Sequence, residues 1–431
     1  MKPLRSSRLL ESQCSASPHP PGCRLAGLLL GLNALFFGAS AAAATHFHPY
    51  VPNSPDVVLQ RVPSVADPRV RIFASLRNRL DGDPHDMDLA VQLANAYIDY
   101  GRSTGDARYV GRGMAVVAPW LQEAPIPIPA LLVSATVLQN RHYFKESRAT
   151  LTALLARDPR DLQAWLTLAT VEMVQADYAA ANDACVQVAQ IGGNFMGTLC
   201  TAQLRSLTGH AQQAYALLRL IEYPGPIAPP AIKGYLEGLL ADTAERLGKT
   251  EAADRHYRAA LQLTPGDNFL LADYADFLLD QDRPAAVETL LEGYGSSDTS
   301  FLRAVLAECA LHDPHALVDA ATMQARFAAM NQRGSRLYQR EQAEFVLYVE
   351  RDPARALMLA RENWTVQRTP QDMRILLGAA LAAGEPKAAQ PVLALVARSH
   401  LQDPVIARLS AQIQAARRGT RAVTARSGPS P

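Results

Sequence analysis

The sequence is poor in lysine. Only Lys2, Lys145, Lys233, Lys249 and Lys387 occur among 431 residues, so arginine supplies most of the 42 basic side chains. Acidic residues number 41 and the formal net charge is +1, so there is no broad basic field for nucleic acid and no acidic excess. Glycine-x-serine-x-glycine and histidine-glutamate-x-x-histidine patterns are absent, which removes two common hydrolase designs. Cysteine is scarce as well, with five in the chain. That number is too low for a disulfide framework of the small-domain kind. What is present is 48% hydrophobic residues with 19% charged, enough for a sizeable core in a folded chain.

The front of the chain reads as a targeting segment, residues 1–44. Lys2, Arg5, Arg8 and Arg24 precede the apolar run Leu25 to Phe37, and Ala42 and Ala44 then supply the small residues a signal peptidase accepts. The run is shorter than the ~20 residues a membrane-spanning helix needs, and no second apolar span follows. The expectation is a periplasmic or secreted protein, cut near Thr45, with no stable membrane insertion. An uncleaved N-terminal anchor is the alternative. Cleavage would leave His46 and His48 beside a free amine, three nitrogens of the kind that hold Cu(II) or Ni(II) in a square plane. The plain alternative is a mobile terminus with two exposed imidazoles. Removal of Cys14 and Cys23 leaves Cys185, Cys200 and Cys309. An oxidising compartment permits a bridge between Cys185 and Cys200; two buried thiols are the alternative.

Self-comparison at a shift of 34 organises the rest. Leu131, Ala135, Leu138, Ser147, Leu151 and Leu154 reappear as Trp165, Ala169, Glu172, Ala181, Cys185 and Val188, alike in size except for the glutamate. A shift of 33 brings Ala202, Gly209, Ala214 and Leu218 into the same places. After a proline-rich insertion the pattern resumes at Leu240, Ala241, Gly248, Ala253 and Tyr257, and again at Tyr274, Ala275, Asp282 and Val287. Gly248-Lys249-Thr250 could end a phosphate-binding loop, but Thr243 stands where that motif needs glycine and the preceding residues have helical spacing. Gly248 is therefore expected at a turn between helices. His312 and His315 flank Pro314 and are expected in a solvated loop rather than at zinc.

These spacings resemble the tetratricopeptide repeat: a large residue, a small one, a later Ala-x-x-x-aromatic and a closing proline. "DYGRSTGDARYVGRG" and "APWLQEAPIPIPALLVSATVLQNRHYF" also look like exported bacterial proteins of this type, a likeness that adds no activity. The implied fold is all-α, an α-solenoid of antiparallel helix pairs in a right-handed superhelix. The expected divisions are a proline-rich extension with one helix at 45–83, repeats at 84–300, degenerate repeats at 301–415 and a disordered tail at 416–431.

The resemblance also implies which residues face inward, since first helices line the concave face of such arrays. Carried over, the inward positions include Asn95, Asp99, Thr136, Asn140, Thr170, Gln203, Asp242, Glu245, Arg246, Asp276 and Asp280. The first half is polar and neutral. In the second, Asp242, Glu245, Asp276 and Asp280 are expected to be opposed by Arg246 alone. The expected role is a non-enzymatic scaffold, without cofactor, that docks a neutral or basic polypeptide in its groove. A metal-handling role for the His-Phe-His segment is the alternative. Solvated helix faces are the plain reading of the groove residues.

Overall fold

The computed structural model describes residues 67–223, 227–294, 297–335 and 337–426, with side chains to 418. The targeting segment, the cut site and His46 and His48 lie outside the described residues. Within them the chain forms nineteen α-helices, one turn of 3-10 helix at Trp120–Gln122 and no strand. The helices pair: α2 (Met87–Thr104) with α3 (Ala107–Val117), α4 (Ile128–Asn140) with α5 (Phe144–Arg157), and α6 (Leu162–Val174) with the first arm of α7 (Tyr178–Leu207). Gly193, at φ 75° and ψ −175°, breaks α7 in two, and its second arm pairs with α8 (Ala211–Leu220). There follow α9 (Pro230–Arg246) with α10 (Thr250–Leu263), and α11 (Asn268–Asp280) with α12 (Pro284–Leu291). The last pairs are α13 (Asp298–Leu311) with α14 (Ala316–Gln332), α15 (Gln339–Tyr348) with α16 (Pro353–Trp364), and α17 (Pro370–Ala382) with α18 (Gln390–Ser399). α19 (Pro404–Arg426) closes the array and α1 (Pro68–Gly82) opens it.

Local chemistry explains these boundaries. Aspartates cap many first helices: Asp86 accepts from the Leu89 N–H, Asp161 from Ala164 and Asp267 from Leu270. Such caps satisfy donors the first helical turn leaves orphaned. Between the two helices of a pair one residue turns left-handed: His142, Ala176, Gly209, Gly248 and Asp282 all have positive φ. The position recurs at nearly the repeat length, and glycine occupies it in two cases because it lacks the Cβ penalty.

Within a pair the small residues meet. Ala135, Ala169, Ala202, Ala241 and Ala275 of the first helices are buried, as are Ser147, Ala181, Ala214 and Ala253 of the second. Ser147 Oγ donates to the Ala135 carbonyl at 2.9 Å, which satisfies the one hydroxyl in the series. Glu172, the exception to the size pattern, is buried against Arg148. Cys185 and Cys200 are bridged, with Cα atoms 5.5 Å apart, and so tie together the two arms of α7. Phe73 of α1 packs on Tyr97, Tyr100 and Tyr109, so this helix covers the apolar face the first pair would otherwise expose.

Two expected divisions need correction. A boundary at residue 300 falls inside α13, whose N-cap Ser297 accepts from the Ser300 N–H. The irregular tail does not begin at 416, because the α19 backbone stays helical to Arg426. Its alanines and arginines are good helix formers even where no apolar stripe continues.

Consecutive first helices touch, and the array also touches itself across its turns. The end of α2 meets the sixth and seventh pairs: Gly105 lies against Asn268 and Ser297, and the Arg102 guanidinium sits 5.9 Å over the Phe269 ring. The end of α6 meets the approach to α17, where the Arg368 N–H donates to the Val174 carbonyl at 2.8 Å and Gln175 donates to Val366 O. Gly209, after the fourth first helix, abuts His400, and Gly248, after the fifth, faces Pro404. Loops at one end of an early pair thus seat on helix starts five to six pairs later. The superhelix winds so tightly that its second turn packs against its first.

Candidate binding lumen

Winding of this kind turns the first helices inward, so that α9 and α11 meet α17 through Arg374; the space these helices face is the lumen. The neutral half is as expected in composition but largely self-satisfied. Asn140 Nδ2 donates to the Thr136 carbonyl at 2.8 Å, and Thr170 Oγ1 to Leu166 O at 3.0 Å. Gln203 Oε1 accepts from the Tyr235 hydroxyl at 3.4 Å. Asn95 and Asp99 remain exposed, and Asp99 is held above the usual carboxylate range by burial, with Arg102 pulling it back.

The acidic half differs from expectation in its counter-charges. Arg246 does bind Asp242, through Nη2 at 2.7 Å and Nε at 3.1 Å. Asp276 is held in a fork by Arg303 of the next pair, at 2.8 and 2.7 Å. Glu245 and Asp280 are both held by Arg374 of α17, each at 2.8 Å. Arg246 is therefore not the sole opposing charge. The reason is the coiling: Arg374 lies 129 residues from Glu245 and 94 from Asp280, beyond any repeat-length comparison.

Carboxylates still outnumber cations around the lumen. Asp273 of α11 is exposed, yet the surrounding walls and its charged neighbours Asp276, Asp242 and Glu245 push its carboxyl up to about 7. Burial pushes Glu344 of α15 up to about 7 as well, although Arg303 lies 3.8 Å away. Two large rings interrupt this polar wall: Tyr235 is 49% exposed and Phe269 53%. They stand 34 residues apart, at the second residue of the inward series in adjacent pairs, so repeat spacing makes both legible once that position is included. Arg303, Arg374 and Asp273 carry no comparable local signal.

Other features offer less. A hollow of roughly 510 Å³ lies between α12, α13 and α14, lined by Glu288, Glu292, Glu308, Asp313, Asp319 and His315. Among the described residues no group of three or more histidines, cysteines or carboxylates is placed to hold a metal ion. His315 is exposed and bonds to Asp313 at 2.9 Å, and His312 ends α13 in the left-handed conformation. Gly248 stands at a helix-to-helix turn, with Lys249 N–H donating to Ala244 O. No described helix is long and apolar enough to cross a membrane.

No family model and no curated protein matches the chain. Among solved structures the chain is similar to PilW, a widely conserved type IV pilus biogenesis factor, with 15% identity over 47% of this chain and 94% of that one, at a TM-score of 0.36. It is similar to the Cut9-Hcn1 hetero-tetramer of the APC/C at 14% identity, covering 80% of this chain and 52% of that one, TM-score 0.39. Yeast Tom70 matches at 10% identity over 82% of this chain and 86% of that one, TM-score 0.36. At these scores the likenesses add nothing to the helix-pair geometry described above. By its own repeat length, its small-residue helix crossings and its recurrent left-handed turns, the chain is a tetratricopeptide-type α-solenoid.

Proposed function

We propose that this chain is a non-enzymatic scaffold that binds a polypeptide in its lumen, and that the bound segment is neutral to basic with an apolar side chain beside its charge. The observation that carries this reading is the wall itself, where exposed Asp99 and Asp273, neither in an ion pair among the described residues, lie on first helices that also expose Tyr235 and Phe269. Backbone-rich segments with a basic side chain suit such a surface: the carboxylates attract the charge and the rings take apolar area. A periplasmic or extracellular setting belongs to the same proposal. It is supported by the targeting pattern of residues 1–44 and by a Cys185–Cys200 bridge that a reducing cytosol would not keep.

The test uses residues without ion-pair partners, so that folding is spared. Asp99→Asn with Asp273→Asn, and separately Tyr235→Ala with Phe269→Ala, should each lose most of the polypeptide captured by the purified protein. Helical circular dichroism should stay unchanged. Glu251→Gln, exposed on the second helix α10, serves as the control and should keep the captured partner. Full retention by both double variants would move binding out of the lumen.

A further inference from the structure

Arg374 joins three parts of the chain. Its Nη2 donates to Glu245 Oε1 at 2.8 Å and to Asp403 Oδ2 at 2.7 Å, while Nη1 donates to Asp280 Oδ2 at 2.8 Å. Glu245 is in the last turn of α9, Asp280 ends α11, and Asp403 caps α19 through the Ile406 N–H at 2.9 Å. Tyr257 OH donates to the other Glu245 oxygen at 3.0 Å, so that carboxylate is aimed from its own pair before Arg374 arrives. The side chains are largely or wholly buried, with 15% of Arg374, 16% of Glu245 and none of Asp403 exposed. One guanidinium thus serves carboxylates from the fifth and sixth pairs and from the final helix.

We propose that Arg374 is an internal occupant of the groove, an autoinhibitory contact that holds the α9 and α11 carboxylates which a partner's guanidinium would otherwise take. The inference rests on the polypeptide-binding reading above. Two features point to an occupant rather than to an ordinary surface pair. The contact crosses the coil, from the ninth pair to the fifth and sixth, and it repeats in cis the chemistry that the carboxylate wall offers in trans. Exchange of one guanidinium for another conserves the ion pairs, so the equilibrium is decided by what it costs to part the turns. The rest of the seam holds the Arg368–Val174 and Gln175–Val366 bonds, the close approaches at Gly105, Gly209 and Gly248, and an apolar core that Met173, Leu204 and Leu207 share with residues of the later pairs, so opening is resisted by apolar burial as well as by the clasp. A partner that supplies its own basic side chain removes the clasp and shifts the coil toward an open form, in proportion to its preference for that form.

The experiment compares the full-length wild type with Arg374→Gln and with Glu245→Gln plus Asp280→Asn. It reads hydrodynamic radius by light scattering, folding by circular dichroism, and affinity for a nona-arginine peptide by calorimetry. Both variants unclasp the turns, but only Arg374→Gln leaves charged carboxylates free. Arg374→Gln should therefore swell and bind the peptide on the order of tenfold more tightly, a change that breaking a buried charge pair readily covers. The double variant should swell and bind no better than wild type. A folded Arg374→Gln with wild-type radius and affinity would overturn the inference. If Arg374→Gln fails to fold, an unchanged radius in the double variant would do the same. Swelling of both without any gain in peptide affinity would keep the closure by Arg374 and sink the polypeptide-groove reading instead.

Discussion

Gly209 shows how little room the seam between turns leaves. Its φ is +77°, and a Cβ built there would lie 2.7 Å from the Cβ of His400. Alanine would meet both a left-handed backbone, costing about 1–2 kcal/mol, and an overpacked contact, costing about 1–3 kcal/mol. Gly209→Ala should lower the urea midpoint without loss of helical content, and an unchanged midpoint would mean that the fourth pair and the end of α18 do not touch. Gly248 is less crowded, with Pro404 at 3.6 Å, so there the backbone penalty dominates. Its neighbour Lys249 is not the free turn residue its position suggests. The ammonium bonds Gln212 at 3.0 Å and lies 4.7 Å from the Tyr215 ring centroid. Lys249→Ala should cost about 0.5–1 kcal/mol, the worth of an exposed cation–π contact, rather than nothing.

Single elements were the most legible level of the sequence. The crossing residues from Ala135 to Ala275 repeat at nearly constant spacing because each solves the same local problem, the close approach of two helices. A local problem leaves a local signal. The inward carboxylates were legible for the same reason, and their distant partner was not: Arg374 is set by how the pairs wind about the axis, which depends on small rotations summed over the array, whereas Arg303 comes from the adjacent pair and simply lies outside the repeated pattern. Between these extremes stands α7. A shift of 33 marks its second arm, yet the backbone runs on through Gly193 and the disulfide does the work of a packed turn. The bridge closes a loop of 15 residues, worth about 3 kcal/mol in the chain-entropy account. Cys185→Ser with Cys200→Ser should lower unfolding free energy by about that amount, and wild type in reductant should match the variant. A variant as stable as wild type would show that packing of the two arms suffices.

The whole molecule concentrates like charge inside its coil, and this has a pH signature. Burial is the largest cause that raises Asp273 and Glu344 to about 7 and Asp280 to about 6, and the same holds for Glu308 at about 7. In an unfolded chain such groups protonate near 4. The folded coil therefore holds more protons between about pH 4 and 7, and stability falls as pH rises through that window. His142 opposes the trend, since burial lowers it to about 4 and its neutral form is lost to competition from the charged unfolded form below its usual value. Four groups outweigh one, so the melting temperature should be higher at pH 5.5 than at pH 8, and the reverse order would mean that these carboxyls sit in open solvent. These properties follow from the coil's geometry, in which five to six pairs complete a turn and the turns touch. Glu251 and Gln402 are both exposed and lie close in sequence to Gly248 and Pro404, where a Cβ built on Gly248 would lie 3.6 Å from the Pro404 ring. Spin labels at cysteines replacing them, in a chain whose remaining cysteines in this region are bridged or buried, report the closure directly by pulsed electron resonance. A closed coil predicts a narrow distance distribution within about 25 Å, the reach of the few intervening residues. An open array, with helix layers spaced by about 8–10 Å over five pairs, would instead place the labels about 40–50 Å apart and contradict the account.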